Sequence, residues 1–354
     1  MSTPLLRVGI AGFGYAGRTF HAPLVRTTPG LTIAAVSSSD PARVHAALGD
    51  GVRVFADADT LAADDGIDLL IVASPNATHA ALAARALAHG KHVVIDKPFA
   101  ATAREAHDLA RLASERGLVL SVFHNRRWDS TTRTAQKLLA SGQLGAIRHA
   151  AMAFDRFRPQ PQERWKEDAD AAGGLWMDLG PHLIDEALLY FGAPLAIQAD
   201  LALVRPGARA DDLFHARLRW ADGLRVDLHA SMLAAIPRPR LLLQGLHGTY
   251  VKQGLDPQEG ELKAGRLPEG DDAQWGIDPE RGLAVVEHGG SSLAIGIATE
   301  NGAYPLFYRQ VRDAILDLGP NPVPPAQALT VMRVLDAGKA SSAERREVLL
   351  EDVP

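Results

Sequence analysis

The first third of the chain alternates short apolar runs with stretches of helical spacing. Leu5 to Ala11 is an apolar run that leads into glycine and reads as a buried strand. A helical stretch runs from the glycines at 12–17 to about Arg26, and Leu31 to Val36 is a second strand. Asp40-Pro41 opens a helix, with aspartate as N-cap and proline in the first turn. Asp68 to Ala73 is apolar after its leading aspartate, which marks a strand buried on both faces, as in parallel sheets. A helix over 77–89 stops at Gly90. His92 to Ile95 is the next strand, 102–116 the next helix before Gly117, and Leu118 to Phe123 a further strand. Strands alternating with helices predict an α/β domain over 1–123, a doubly wound parallel sheet.

The grammar then changes. Residues 131–140 read as a helix stopped by Ser141-Gly142. Phe214 to Trp220 and Leu224 to Met232 alternate apolar and polar around Ala221-Asp222-Gly223, a tight hairpin. Its apolar face is Phe214, Ala216, Leu218, Trp220, Leu224, Val226 and Leu228, and its other face carries Arg217, Arg219, Arg225, Asp227 and His229. Helices over 182–191, 305–316 and 325–340 are expected to cover the apolar side. Residues 256–280, rich in Gly, Pro and acids, read as a loop. The second domain is therefore placed at 124–354, and the C-terminal helix is one that could return to the first domain.

Composition narrows the function classes. The 354 residues are 47% hydrophobic and 22% charged, a soluble globular balance with length for two domains. The absence of cysteine excludes disulfides, thiolate zinc sites and cysteine nucleophiles. A net charge of −5 argues against a nucleic-acid partner, and no apolar run is long enough for a membrane span. The N-terminus lacks a secretory pattern, so a cytoplasmic location is expected.

Chemistry enters with Gly12-Phe13-Gly14-Tyr15-Ala16-Gly17. A glycine-rich hexapeptide alone is weak. Placed after the first strand and at the start of the first helix, it predicts a dinucleotide site. Gly12 permits the turn, Gly14 lets a pyrophosphate approach the backbone, and Gly17 lets helix and strand pack closely. The second strand ends in Ser37-Ser38-Ser39, where an NAD site usually presents an acid. Serines there, with Arg43 one turn into the next helix, favour NADP(H) over NAD(H). The competing ribose ligand, Asp40, is expected to be occupied as N-cap.

Val94-Ile95-Asp96-Lys97-Pro98 resembles the E-K-P signature of the Gfo/Idh/MocA oxidoreductases, with Asp96 in place of the commoner Glu. The stretch Ala73-Ser74-Pro75-Asn76-Ala77-Thr78-His79 resembles the loop after that family's fourth strand. The stretch from Gly173-Gly174 through Asp178 and His182 to Asp185 resembles its third signature. Phe20-His21-Ala22-Pro23, Phe123-His124-Asn125-Arg126-Arg127-Trp128 and Phe154-Asp155-Arg156-Phe157 resemble its scyllo-inositol dehydrogenase-like branch. The resemblance covers nearly the whole chain. It implies a Rossmann domain followed by an α+β domain with an open, mostly antiparallel sheet that commonly makes homodimers or homotetramers. It also implies an NAD(P)-dependent dehydrogenase or reductase acting on CH–OH groups of a cyclic polyol or sugar.

Carried onto matching positions, Lys97, Asp178 and His182 are the implied catalytic residues. Ser74, Pro75, Asn76, His79, Asp96, Lys97 and Pro98 join the glycine loop as cofactor-binding positions. Oxidising a secondary alcohol needs a base that is neutral near pH 7. His182, following Gly180-Pro181 as a helix start, is expected in a first turn, where the dipole disfavours imidazolium. Lys97 would hydrogen-bond the developing alkoxide, and Asp178 would orient the hydroxyl or the imidazole. Each has a plainer reading: a solvated turn lysine, a helix cap, a structural histidine. Asn125, Arg126, Trp128, Arg156, Phe157 and Trp165 suit a polyol pocket, or equally domain packing. No metal-ligand spacing is present among the histidines. The competing functions are a dinucleotide-sensing regulator and an NAD-dependent glycosidase of the same family.

Overall fold

The computed structural model describes residues 4–163, 167–168, 173–270 and 272–352. They divide into two compact units, and the division is not a single cut. The first unit comprises residues up to Asn125 together with 258–275 and 303–329, and the second comprises 126–257, 276–302 and the chain from Thr330. A cut after residue 123 therefore misses two later segments that return to the first unit.

The first unit begins with β1 (Leu6–Ala11), a π-helical turn over Gly17–His21 and α1 (Ala22–Arg26). Then follow β2 (Leu31–Ser37), α2 (Pro41–Leu48), β3 (Arg53–Phe55), α3 (Ala58–Ala63), β4 (Leu69–Val72) and α4 (His79–Ala88). β5 (His92–Asp96), α5 (Ala103–Arg116) and β6 (Leu120–Phe123) complete its sheet. The strands form one six-stranded parallel sheet in the order β3-β2-β1-β4-β5-β6. Strand order reverses between β1 and β4, and such a switch point is where open α/β sheets bind ligands. β4 is buried throughout, as its unbroken apolar run requires.

The second unit contains α6 (Ser130–Ser141), β7 (Ile147–Ala153), α7 (Leu175–Phe191), β8 (Ala196–Ala202), β9 (Leu213–Arg219), β10 (Arg225–Ser231), β11 (Leu241–Gly245) and β12 (Gly248–Lys252). After α8 (Gln258–Lys263) come β13 (Gly282–His288), β14 (Ser291–Ile297), α9 (Pro305–Ile315), α10 (Pro325–Glu344) and β15 (Val348–Leu349). The sheet has nine strands in the order β14-β13-β12-β11-β7-β10-β9-β8-β15, antiparallel except for β7 with β10. The hairpin forms where the alternation placed it, with Arg219 opposite Arg225 and its apolar face buried. Trp176 of α7 packs edge-on to Phe214 and donates its indole N–H to the Leu335 carbonyl of α10. The other sheet face carries Arg217 paired with Asp227, which also meets His149, and the exposed Leu283 and Val285.

Three helical expectations are corrected. The 256–280 segment contains α8, which belongs to the first unit. Buried Gln258 holds it there, accepting the Trp275 indole N–H at 2.8 Å and the Tyr304 amide at 2.7 Å. α9 does not cover the antiparallel sheet. Its Phe307 and Tyr308 pack on Phe123 of β6, because an aromatic face finds its partner there. The helix expected at 182 begins at Leu175, and Pro181 lies inside it.

Candidate active site

In the first unit the glycine loop follows β1 at the switch point. Gly12 has φ +99°, and a Cβ there would lie 2.8 Å from the Ala73 carbonyl oxygen. A Cβ on Gly17 would collide with the Gly12 carbonyl, whereas nothing stands within 4 Å of one built on Gly14. The chain thus needs glycine twice to close the turn, and leaves the backbone at Gly14 open to a ligand. This cradle fits a dinucleotide pyrophosphate. Phe13 is buried under the loop, and Tyr15 is exposed with its hydroxyl donating to Glu259 at 2.6 Å.

The serine cluster divides. Ser37 is buried, and its Oγ accepts the Gly12 amide at 3.2 Å, so it braces the turn. Ser38 Oγ accepts the Asp40 amide at 3.1 Å, and Ser39 is exposed. Asp40 is the N-cap of α2, accepting the Arg43 amide at 3.0 Å, and its second oxygen pairs with the Arg43 guanidinium at 3.0 Å.

After β4, Ser74 and Pro75 lead to buried Asn76, and Ser74 Oγ meets Thr78 Oγ1 at 2.6 Å. After β5, Asp96 Oδ1 accepts the Lys97 amide at 2.9 Å, and the Lys97–Pro98 peptide is cis. His79 is buried, with Nδ1 2.8 Å from the Pro98 carbonyl and Nε2 3.0 Å from the Ser74 carbonyl. Both ring nitrogens therefore face main-chain carbonyls. The cause is its place at the first residue of α4, aimed across to the β5 turn.

In the second unit α7 carries Asp178 and His182 at i and i+4, on one helix face. The helix starts after Gly174, whose φ is +107°. A glycine at the N-cap has no side chain to receive the first amides, and Asp211 replaces it. Asp211 Oδ2 accepts the Trp176 amide at 2.6 Å, and its main-chain oxygen accepts that of Leu175 at 2.7 Å. Asp178 therefore occupies the first turn, where the dipole favours a carboxylate, and His182 does not. The dipole argument for a neutral His182 fails for that reason. Nor does Asp178 cap a helix beginning at 181. Burial pushes the Asp211 carboxyl up to about 6. Asp211, Asp178, Arg205 and Glu167 line one cavity, in which Arg205 pairs with Glu167 and Asp212.

Phe154, which the sequence placed in a motif but gave no role at the site, organises the rest. His182 stacks on it at 6.3 Å, and the guanidinium groups of Arg126, Arg156 and Arg240 lie 4.6, 5.1 and 5.9 Å from its centre. Arg156 is also 3.7 Å from Asp178. Arg126, Arg156, Asp178 and His182 are thus brought together. Phe157 is 58% exposed and pairs with Leu233 instead, and Trp128 is half-buried. Asn125 ends the first segment of the first unit, and Trp165 lies outside the described residues. Among the described residues there is no cluster of three metal-ligating side chains, and no helix is long and apolar enough to cross a membrane.

Comparison with known proteins gives the family. Residues 6–124 match the model of the oxidoreductase family with an NAD-binding Rossmann fold, and 132–251 match the GFO/IDH/MocA C-terminal domain. The chain is 46% identical to the uncharacterised oxidoreductase YdgJ of Escherichia coli, over 98% of this chain and 99% of that one. It is 35% identical to the scyllo-inositol 2-dehydrogenase (NADP(+)) IolW of Bacillus subtilis, over 98% and 96%. The structure of the YPO2259 oxidoreductase of Yersinia pestis superposes with a TM-score of 0.92 at 46% identity, covering 98% and 97% of the two chains. A glycine cradle at the switch point, a Lys97 turn after β5 and an Asp178–His182 face on α7 thus occur in a chain that belongs to the Gfo/Idh/MocA family of NAD(P)-dependent oxidoreductases.

Proposed function

We propose that the protein interconverts a secondary alcohol and a ketone on a cyclic polyol or sugar of the inositol type, using NADP(H). The observation that carries the reading is the Asp178–His182 pair on one face of α7, a carboxylate beside an imidazole. Oxidising an alcohol requires removal of a hydroxyl proton, and His182 is the group we assign to it. Asp178 orients that proton's donor. Lys97 hydrogen-bonds the oxygen as it gains charge. The nicotinamide, when bound, supplies the hydride acceptor or donor. The glycine loop and Ser74 to Asn76 would hold the dinucleotide, with Ser38, Ser39 and Arg43 towards the adenosine end.

NADP(H) is supported by the capping role of Asp40 and by the name of the Bacillus relative. The polyol class is supported by that same name. We also propose that the exposed sheet face, with Leu283 and Val285 among its apolar residues, associates with a second copy of the chain as a dimer or tetramer.

The test is a tryptophan-fluorescence titration with NADPH and NADH on wild type and Lys97→Ala, followed by nicotinamide absorbance against an inositol and aldose panel. We expect tighter NADPH binding and turnover that Lys97→Ala and His182→Asn each abolish. Tighter NADH binding refutes the NADP assignment. Binding without turnover on any polyol refutes the substrate class.

A further inference from the structure

Buried imidazoles stand on both sides of the turn that carries Lys97. On one side the Asp96 carboxylate, which accepts the Lys97 amide, lies 4.0 Å from His21 Nε2. The His21 ring is fully buried, and its Nδ1 is 2.6 Å from the Tyr308 hydroxyl. If the hydroxyl donates to Nδ1, the ring proton sits on Nε2 and faces the carboxylate. The opposite tautomer would turn a lone pair on it. Burial keeps this ring neutral, its pKa lowered to about 4.

On the other side His79 meets two main-chain carbonyls, those of Pro98 and Ser74. Both are acceptors only. A neutral imidazole has one N–H, so it holds one carbonyl and turns a lone pair on the other, whereas the imidazolium donates to both. Burial lowers the His79 pKa and Lys97 adds to that, against Asp96 and the two carbonyls. His21 also faces it. The two carbonyls belong to different elements. Ladder pairing of β4 with β5 ends at Val72 opposite Ile95, so Ser74 and Pro98 lie beyond the sheet. His79 ties these two loops there.

We propose that His79 is a positioning residue that couples the Ser74–Asn76 loop to the Lys97 turn, so that a dinucleotide seated on that loop sets the place of the Lys97 ammonium. The proposal rests on the first unit's dinucleotide site and adds the link from cofactor to proton donor. A ligand that draws the Ser74 carbonyl shifts the ring's single proton between its two acceptors, and the Pro98 end of the Lys97 turn tightens or loosens with it.

The chain has seven lysines, few enough for reductive methylation with ¹³C-formaldehyde to give a resolvable spectrum. The Lys97 signal is assigned by Lys97→Arg, then titrated with pH, with and without saturating NADPH. In the wild type NADPH moves both the Lys97 shift and its titration midpoint. His79→Gln binds NADPH within about fivefold of wild type, the effect of one lost hydrogen bond, yet cuts that response by more than half. Ser121→Ala, which loses the buried bond of Ser121 to the Val323 carbonyl in the same unit, keeps the response in full. A response kept by His79→Gln, or lost equally by Ser121→Ala, overturns the coupling. NADPH and NADH leaving every wild-type signal unmoved overturns the dinucleotide site itself. Hydrogen exchange on the wild type needs no variant: NADPH is expected to protect 74–79 and 96–99 together, and protection of the first alone refutes the proposal.

Discussion

Asp211 holds the start of the helix that carries Asp178 and His182, and it does so as a buried carboxylate. Its carboxyl is pushed from the ordinary 3.8 up to about 6, mainly by burial and against the Trp176 amide that favours the charge. A folded pKa above the unfolded one means that the folded chain binds the proton more tightly. Below about pH 4 the group is protonated in both states and costs nothing. Above about pH 6 it is ionised in both, and the folded state bears a penalty of about 3 kcal/mol. Asp211→Asn keeps the shape and an oxygen for the Trp176 amide while removing the charge. The shift is already net of the Trp176 amide's preference for the charge, so the expected gain is about 3 kcal/mol. For a unit of this size that is about 6–12 °C in Tm. The assay is thermal and urea unfolding of both proteins at pH 8 and near pH 4. Asp211→Asn should be the more stable at pH 8, and the advantage should vanish at the acid end. Equal stability at pH 8, or a gain independent of pH, would refute the reasoning, because then the charge is not what the fold resists.

Gly12→Ala adds a Cβ 2.8 Å from the Ala73 carbonyl at φ +99°, and should weaken NADPH binding by at least about 30-fold, roughly 2 kcal/mol, with unchanged far-ultraviolet circular dichroism. Glu186→Leu strips the fully buried Arg240 of its carboxylate and should cost about 3–5 kcal/mol in urea unfolding. A phosphorylated polyol or sugar should bind no more tightly than its neutral parent, as inhibition constants against the parent would show. Arg126, Arg127, Arg156 and Arg240 already meet Asp129, Asp185, Asp178 and Glu186, so these four guanidinium groups offer an anion little uncompensated charge.

The first unit was legible in the sequence because its signals are local. A parallel strand buried on both faces must be apolar throughout, and Leu69–Val72 is. A helix must be capped, and Asp40-Pro41 announces α2 as Gly117 announces the end of α5. β3 and α3 went unread because Arg53–Phe55 is too short for a period to register. The 214–232 hairpin was legible from alternation, but β13 and β14 carry no comparable pattern. In β13 and β14, Val286 and Leu293 stand in line opposite one another while Leu283 and Val285 point to the exposed face, so apolar residues occur on both.

The misreadings at the site share a different cause. Gly180-Pro181 looks like a helix start because proline is at home in a first turn, yet Leu175 begins the helix under a cap supplied from Asp211. No local rule reaches a cap 35 residues away. Ser37 also takes a bracing part that no local rule announces, its Oγ accepting the Gly12 amide from the loop after the neighbouring strand. His79 and Tyr308 carry no motif of their own for holding the Lys97 turn, and Tyr308 arrives from a segment that the alternation assigned to the other domain. Residue types that do chemistry were readable because chemistry restricts them to a few side chains at set spacings. The groups that hold them in place were not, because a main-chain amide donates to a carboxylate from any part of the chain that the fold brings near it. Substitutions at Asp211 and His79 should therefore disturb Asp178 and Lys97 without touching either.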